Sequence, residues 1–335
     1  MSNVYEILQR HPVLLTANST IIGSEARFPQ GWSDLINAQG VHIATPDLLT
    51  AEAYRANADA QNVTFGVPDV AELHGRVVIV LWPKAKAAGQ AIVSMLSQVV
   101  DRCYVVAPND AGGKSIGSAV KDLATEAGKM DSARHCSLWN VQLKKTDGPA
   151  NWLRMARSFQ AESLSFMTLP GVFGHGKLDR GTALLLEHVP APAHGKLLDL
   201  GCGAGVIGLT MKSRVPALDV TMTDVDAFAI RSAELNSARL GLSADIFASN
   251  GLASIEGRYD YIFSNPPFHQ GKRTDYEFAA TLFRDAKKHL TRDGQLWIVA
   301  NRHLAYEEWA AEAFRSTEVM VQTEGFKIIC ASDPK

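Results

Sequence analysis

The sequence predicts an α/β protein with two tandem units, each built on a mainly parallel sheet flanked by helices. Its 335 residues exceed the size at which one hydrophobic core stops growing efficiently. Short apolar runs alternate with longer helical stretches, a pattern typical of parallel sheets covered by helices. A polar segment at 146–152, with Gly148 and Pro149, lies near the middle of the chain. We therefore expect one domain at 1–150 and a second at 151–335.

The composition argues against several classes of protein. Hydrophobic residues make up 46% of the chain and charged residues 20%, which is the balance of an ordinary globular protein. The net charge of -2 does not fit a chain that is basic over its whole surface, although a local basic face is compatible with it. Neither a signal peptide nor an apolar run as long as a membrane span is evident, so we expect a cytoplasmic protein without a membrane partner. The four cysteines are scattered, and we expect neither a metal site nor a disulfide framework.

The second half predicts five strands with helices between them. The strands are expected at 196–200, 220–223, 244–248, 259–264 and 295–300, and the helices at 207–214, 227–240 and 278–290. In open α/β sheets, ligands bind beyond the carboxyl ends of the strands. Functional side chains are therefore expected in the loops that follow these strands.

The first half contains a fainter copy of this pattern. The strand expected at 76–81 is followed by Trp82 and a proline, as the strand at 259–264 is followed by Asn265 and a proline. A helix and another strand come next in both halves. This order indicates an internal duplication, although strand-helix-strand units are common in all α/β proteins. No glycine-rich loop follows an early strand, so we expect the first copy to have lost its chemistry.

A glycine-rich loop follows the first strand of the second half. It contains Asp199, Gly201, Gly203 and Gly205 and leads directly into a helix. Glycines at this position let the backbone approach a ligand closely. A nicotinamide-dinucleotide fingerprint would need a sixth-position glycine where the chain has Val206. The observed G-x-G-x-G after an acidic residue instead resembles the first motif of S-adenosylmethionine (SAM)-dependent methyltransferases, so SAM is the expected cofactor.

Polar residues follow the next two strands as well. Asp224 ends the second strand, 23 residues beyond Gly201, close to the spacing of about 20 at which an acidic side chain accepts hydrogen bonds from ribose hydroxyls. Asp226 would reach the same face, and the choice between the two stays open. Asn250 follows the third strand, where the resemblance places a polar side chain on the adenine amino group. A plain turn role fits that asparagine equally well.

The fourth strand ends in Asn265, Pro266, Pro267 and Phe268. An aromatic amine is a poor nucleophile because its lone pair is delocalised into the ring. The Asn265 side-chain oxygen and the Pro266 carbonyl could each accept an N–H hydrogen bond and localise that lone pair, while the prolines fix φ and aim the acceptors. Phe268 offers a face on which a base can stack. For His269 we expect a substrate contact or no role.

Alone, these residues would also suit a simple turn. Together with the glycine loop and Asp224, in this order, they indicate SAM-dependent methylation of a planar amine.

As a whole, the chain is similar to the ribosomal RNA small subunit methyltransferase C family. The matching stretches are 81–84, 131–136, 169–173, 198–206, 247–250 and 265–269. The resemblance implies two tandem Rossmann-like class I methyltransferase domains, of which the N-terminal one is degenerate and serves RNA binding or structural support. It also implies a SAM-dependent enzyme that methylates N2 of one guanine in 16S rRNA of the small ribosomal subunit.

The resemblance is interrupted after Phe173. Residues 174–177 depart from the family's usual segment, whereas Asp179, Gly181 and Thr182 still match. In such enzymes this stretch lies against the cofactor, so Asp179 is expected in the cofactor site. We expect the protein to act as a monomer.

Three other functions share these motifs. A sister family methylates a guanine of 23S rRNA with the same Asn-Pro-Pro-Phe-His sequence, and the same chemistry would serve an N-methyltransferase of protein glutamine or of adenine. A ribosome-assembly factor with a vestigial SAM site is the alternative without catalysis. For phosphate contacts with RNA, the candidate cations are Lys84, Lys86, Lys144, Lys145, Arg154, Arg157, Lys272, Arg273, Lys287 and Lys288.

Overall fold

The computed structural model describes residues 4–57, 60–146, 151–266 and 273–335. The chain divides into two compact units, Met1–Ala156 and Arg157–Lys335. The boundary expected at 150/151 lies close to this division, and residues 147–150 lie outside the described ranges.

The first unit is an α/β layer structure. Its strands are β1 (Ser19–Ile22), β2 (His42–Thr45), β3 (Val63–Phe65), β4 (Val77–Leu81), β5 (Arg102–Pro108), β6 (Ala124–Ala133) and β7 (Cys136–Leu143), and its helices are α1 (Val4–Gln9), α2 (Trp32–Gln39), α3 (Leu48–Arg55), α4 (Lys86–Leu96) and α5 (Ile116–Ala119). In the described part of this unit, the strands form one sheet in the order β3-β2-β1-β4-β5-β7-β6. The first five strands pair in parallel, and β6 and β7 add an antiparallel end.

The second unit repeats this arrangement. Its strands are β8 (Arg157–Ala161), β9 (Leu164–Thr168), β10 (Gly195–Leu200), β11 (Leu218–Asp224), β12 (Asp245–Ala248), β13 (Tyr259–Ser264), β14 (Leu290–Asn301), β15 (Phe314–Gln322) and β16 (Phe326–Pro334), and its helices are α6 (Arg180–His188), α7 (Val206–Arg214), α8 (Ala227–Leu240), α9 (Arg273–Ala286) and α10 (Tyr306–Ala313). The main sheet has the order β12-β11-β10-β13-β14-β16-β15, and β8 and β9 form a separate antiparallel hairpin.

The strand orders of the two sheets correspond position by position. In each seven-stranded sheet the earliest strand is third in the order, the next two strands extend from it to the nearer edge, and the last two strands form an antiparallel end. The predicted pair of tandem Rossmann-like units is confirmed, and the shared order supports an internal duplication.

Two details of the second sheet differ from the sequence prediction. The last predicted strand, at 295–300, is the second part of a longer β14, and the antiparallel strands β15 and β16 were not predicted. Between Tyr259 and Tyr261 the pairing moves from Leu290 to Gln295, so the register advances two positions on β13 and five on β14. The irregular start of β14 carries charged residues, so a search for apolar runs does not detect it as a strand.

The central strands are buried on both faces, and this fixes where the site lies. Sheets covered by helices on both faces have nearly continuous apolar strands, and Leu197 to Leu200 of β10 are all buried. Leu200 pairs with Thr223 on one side and Ser264 on the other, while Asp224 pairs with Ala248. Four strand ends therefore meet at one edge of the sheet.

Within the described ranges, neither a helix suited to a membrane span nor a cluster of metal-ligating side chains occurs. No helix there combines the length and the hydropathy that a membrane span needs. Nor do three or more potential metal-ligating side chains cluster together within those ranges.

Candidate active site

The glycine loop after β10 has a backbone that favours glycine. Gly201, Gly203 and Gly205 have φ values of 72°, 54° and 77°, in the left-handed region that costs other residues about 1–2 kcal/mol. A Cβ on Gly201 or Gly203 would meet no atom within 4 Å, whereas a Cβ on Gly205 would lie 3.1 Å from the Met222 sulfur. The first two glycines thus leave open space over the loop, and the third also permits close packing of α7.

The loop is fastened to the end of β11. The backbone N–H groups of Gly201 and Cys202 both donate to the Thr223 carbonyl, at 2.8 and 2.9 Å. The N–H of Gly203 donates to Oδ2 of Asp224 at 2.9 Å. The loop therefore holds its shape through bonds within the protein.

Asp224 and Asp226 have different partners. Asp226 is the N-cap of α8, where its Oδ1 accepts from the N–H of Phe228 at 2.8 Å. Asp224 ends β11, is half-buried, and accepts from Gly203 and from the N–H of Asp226. Burial raises the pKa of the Asp224 carboxyl above its usual value. Of the two carboxylates, Asp224 is the one that borders the glycine loop.

Asp199 lies behind the loop. Its side chain is 0% exposed, and its Oδ2 accepts from the N–H of Gly208 at 2.8 Å. Its Oδ1 has no hydrogen-bond partner among the described residues. Burial raises the pKa of this carboxyl to about 7. The hydrogen bond from the N–H of Gly208 to Asp199 therefore holds the start of α7 in place.

Gly208 is a residue that the sequence analysis missed. A Cβ there would lie 2.7 Å from the Met222 sulfur and 3.2 Å from Oδ2 of Asp199. The absence of a side chain thus lets α7 approach β11 and lets the Asp199 carboxylate reach the helix. A glycine inside a predicted helix was the available signal, because it lowers helix stability unless packing requires it.

Asn265 is held in one orientation by α6. Its Nδ2 donates to Oδ2 of Asp179 at 2.8 Å and to the hydroxyl of Thr182 at 2.9 Å. A carboxylate accepts only, so the amide nitrogen must face it. Oδ1 is consequently turned away, and within the described residues no hydrogen bond engages it. Asp179 is also the N-cap of α6, since its Oδ2 accepts from the N–H of Thr182 at 3.0 Å.

Gly181 allows α6 to come this close. A Cβ at Gly181 would lie 2.9 Å from Cγ1 of Val299 and 3.4 Å from Nδ2 of Asn265. Contacts below 3.0 Å require something to shift. The missing side chain therefore brings the start of α6 against both β14 and the asparagine amide.

The neighbouring strand ends complete the edge. Pro266 is buried, and the hydroxyl of Ser264 donates to the Leu200 carbonyl at 2.8 Å, which ties β13 to β10. Asn250 is exposed beyond β12, in a turn that is tied to β11 because the N–H of Ser249 donates to the Asp224 carbonyl at 3.0 Å.

Part of the predicted reaction centre lies outside the description. Pro267, Phe268, His269 and residues 270–272 are outside the described ranges. The remaining predicted residues, from the glycine loop to Asn265, lie at one edge of the second sheet.

The first unit carries different residues at the equivalent strand ends. Thr45 ends β2 where Asp224 ends β11, and Trp82 follows β4 where Asn265 follows β13. Trp82 is buried and packs against α4, where a Cβ on Gly89 would lie 2.6 Å from its ring. A carboxylate and an amide are thus replaced by a buried hydroxyl and a packed indole, which agrees with a degenerate first unit.

The candidate RNA-contacting cations have varied surroundings. Lys145 pairs with Asp101 at 3.0 Å and Lys288 with Asp285 at 2.8 Å. Lys84 and Lys86 are exposed. Lys272 and the side chain of Arg273 lie outside the description.

Comparison with known proteins identifies the family. The model of the methyltransferase small domain matches residues 163–330, and that of the methyltransferase small domain N-terminal matches residues 5–157. The Ribosomal RNA small subunit methyltransferase C of Pseudomonas syringae pv. tomato is 37% identical over 333 residues, which covers 97% of this chain and 98% of that protein. The protein of the same name from Ectopseudomonas mendocina is 39% identical over 263 residues, covering 76% and 79%.

A solved structure shares the fold of the whole chain. It is a T. thermophilus 16S rRNA N2 methyltransferase in complex with AdoMet and guanosine, with a TM-score of 0.79, 21% identity, and coverage of 96% of this chain and 92% of that one. Similarity over nearly the full length, in both sequence and fold, shows that this chain belongs to the ribosomal RNA small subunit methyltransferase C family.

Proposed function

We propose that this protein transfers a methyl group from SAM to the exocyclic N2 of a guanine in 16S rRNA of the small ribosomal subunit. The observation that carries the proposal is the Asn265 amide, whose nitrogen is held by Asp179 and Thr182 while its oxygen has no hydrogen-bond partner among the described residues. Family membership supports the substrate, since the curated relatives are named as small subunit rRNA methyltransferases. The fold neighbour bound AdoMet and guanosine together.

The edge of the second sheet fits SAM. The open space over Gly201 and Gly203 admits a ligand against the backbone, and Asp224 borders the loop where ribose hydroxyls can donate to it. We assign Asn250, which is exposed beyond β12, to the adenine amino group. Asp199 supports the site indirectly by fixing α7. When bound, SAM supplies an electrophilic methyl group on a sulfonium centre.

The chain's own residues prepare the amine. Oδ1 of Asn265 and the Pro266 carbonyl each accept a hydrogen bond from one N–H of the guanine amine. These two bonds localise the lone pair of the nitrogen. Asp179 strengthens this acceptor, because a negative charge against Nδ2 polarises the amide and hydrogen bonds in a chain reinforce one another. Pro266 and Pro267 restrict the backbone, so the acceptors need not reorganise during the reaction. Phe268 provides a stacking face for the base, and the amine releases its proton to solvent after transfer.

Asn265→Ala tests this mechanism. Removing one preorganised polar group from a reaction centre costs about 100-fold to 1000-fold in kcat, and we expect such a loss in single-turnover methylation of small subunits from a strain that lacks the enzyme. The SAM dissociation constant, measured by calorimetry, should stay within about threefold because the cofactor contacts are elsewhere. Full activity of the variant would contradict the mechanism.

The substrate is tested separately, by mass spectrometry of nucleosides and proteins from the deletion strain. We expect N2-methylguanosine to be lost from 16S rRNA. Its loss from 23S rRNA instead, or loss of methylglutamine or methyladenine, would assign the other substrates, and a wild-type protein that does not bind SAM would be an assembly factor.

The first unit and the assembly state complete the proposal. We assign the first unit a role in RNA binding or structural support, and the whole protein a monomeric, cytoplasmic state. Sedimentation of the purified protein would test the monomeric state. SAM titration of Thr45 and Trp82 variants would test whether the first unit takes part in SAM binding.

A further inference from the structure

A basic cleft lies on the second unit, away from the candidate active site. It has a volume of about 620 Å³, and its lining includes six cationic side chains and one carboxylate, Asp333. The cations are Arg258, Lys287, Lys288, Arg292, Arg315 and Lys335. We call this feature the basic cleft.

The basic cleft lies at the opposite edge of the sheet from Asn265. Arg258 immediately precedes β13, whereas Asn265 immediately follows it. Lys287 lies between α9 and β14, and Arg292 lies near the start of β14. At about 3.3 Å per strand residue, the six residues of β13 separate the two sites by roughly 20 Å. A base held at Asn265 therefore does not reach the cleft.

Acidic side chains neutralise only some of the cations in the basic cleft. Arg315 pairs with Asp333 at 2.9 Å, and Lys288 pairs with Asp285. Lys287 and Arg292 have no hydrogen-bond or ion-pair partner among the described residues. Positive charge is therefore in excess in the cleft.

The irregular start of β14 places one of these cations, Arg292, outside the regular strand pairing. The pairing shift opposite Tyr259 and Tyr261 leaves Arg292 on a segment that no residue of β13 faces. Asp260 lies nearby, but its carboxylate accepts from the N–H of Lys196 at 2.9 Å and from the hydroxyl of Thr291 at 3.0 Å. These bonds stabilise the segment, and with Asp260 counted beside Asp285 and Asp333 the six cations still outnumber the three carboxylates.

We propose that the basic cleft binds backbone phosphates of 16S rRNA at a point remote from the methylated guanine. The inference rests on the proposed function, because a large folded RNA presents phosphates on more than one side of a bound enzyme. Three of the cations are arginines, whose planar guanidinium groups match phosphate oxygens in pairs. Among the described lining residues, Pro334 is the only apolar one, which fits a phosphate chain better than an acidic peptide that needs side-chain pockets.

The test uses the double variant Lys287→Gln/Arg292→Gln in the full chain. Each lost phosphate contact weakens binding and lowers the slope of log affinity against log salt by about 1. With protein-free 16S rRNA and with intact small subunits, we expect KM to rise about tenfold, kcat to stay unchanged and the salt slope to fall by about 2. A short hairpin that contains the target guanine cannot reach the cleft, so its kcat/KM should not change.

The matched control is Arg231→Gln/Arg239→Gln on α8, which removes the same charge from exposed positions of the same unit. We expect this control to behave as wild type with every substrate. An unchanged KM in the cleft variant would overturn the proposal, as would a defect with intact subunits but not with protein-free rRNA, which would assign the cleft to a ribosomal protein. If wild-type protein methylates neither RNA, the proposed function has failed instead.

Discussion

Replacement of Asp179 tests whether this carboxylate orients the reactive amide or binds the cofactor. In Asp179→Ala, Nδ2 of Asn265 loses its 2.8 Å acceptor and keeps only the hydroxyl of Thr182 at 2.9 Å. The amide can then rotate and present its nitrogen to the substrate. In Asp179→Asn an acceptor oxygen of similar position remains, and only the charge is lost.

The magnitudes follow from the two kinds of hydrogen bond. A bond to a charged group contributes about 1.5–3 kcal/mol and a neutral one about 0.5–1.5 kcal/mol. Loss of the charge alone therefore removes about 1 kcal/mol from the orientation of Asn265, which corresponds to about fivefold in kcat. Loss of the whole acceptor removes about 1.5–3 kcal/mol, so we expect Asp179→Ala to lower kcat by about 10-fold to 100-fold.

Single-turnover methylation and SAM calorimetry separate the two roles. We expect kcat to fall in the order wild type, Asp179→Asn, Asp179→Ala, with the SAM dissociation constant unchanged. Asp179→Ala also removes a helix cap, a loss of about 1 kcal/mol in stability, whereas asparagine caps a helix about as well as aspartate. Asp47→Ala is the matched control, because Asp47 caps α3 and also accepts from a threonine three residues on. Equal kcat values for Asp179→Ala and Asp47→Ala, or weaker SAM binding with normal kcat, would refute the orienting role.

Three further predictions follow from glycine geometry and burial. Gly201→Ala, at a φ of 72°, should weaken SAM binding by about tenfold in calorimetry because the left-handed backbone costs about 1–2 kcal/mol. Gly89→Ala places a Cβ 2.6 Å from the Trp82 ring and should lower the unfolding free energy by about 1–3 kcal/mol in urea titration, with SAM affinity retained. Burial raises the pKa of Asp199 to about 7, so the folded protein keeps a proton that the unfolded chain releases above about pH 4, and stability falls as pH rises between these values. Asp199→Asn should remove that contribution, which urea titrations at pH 5 and pH 8 would detect as a smaller loss.

Much of the fold could be predicted because parallel strands leave a local signal. Buried on both faces, β10, β11 and β13 appear in the sequence as apolar runs, and the loops after them contain the glycines and polar residues of the site. In the first half, only the strand expected at 76–81 and the helix and strand after it could be predicted element by element.

The contact between Asp179 and Asn265 could not be predicted in this way. The two residues are 86 positions apart, and their meeting depends on how closely α6 packs against β14, which Gly181 decides. Local patterns identify a capping aspartate but not the side chain that lies beyond the cap. Likewise, the start of β14 departs from regular pairing, so the periodicity of apolar residues could not predict where this strand begins.

The hydrogen bonds that tie the glycine loop to Thr223 and Asp224 have a consequence for turnover. The loop is shaped by the protein's own bonds, and in the proposed SAM site it borders the nucleoside part of the cofactor, not the methyl group. After transfer, the demethylated product keeps the same ribose and adenine and should occupy this rigid cradle about as well as the donor. We therefore expect product inhibition, with methylation slowing as the cellular ratio of donor to demethylated product falls.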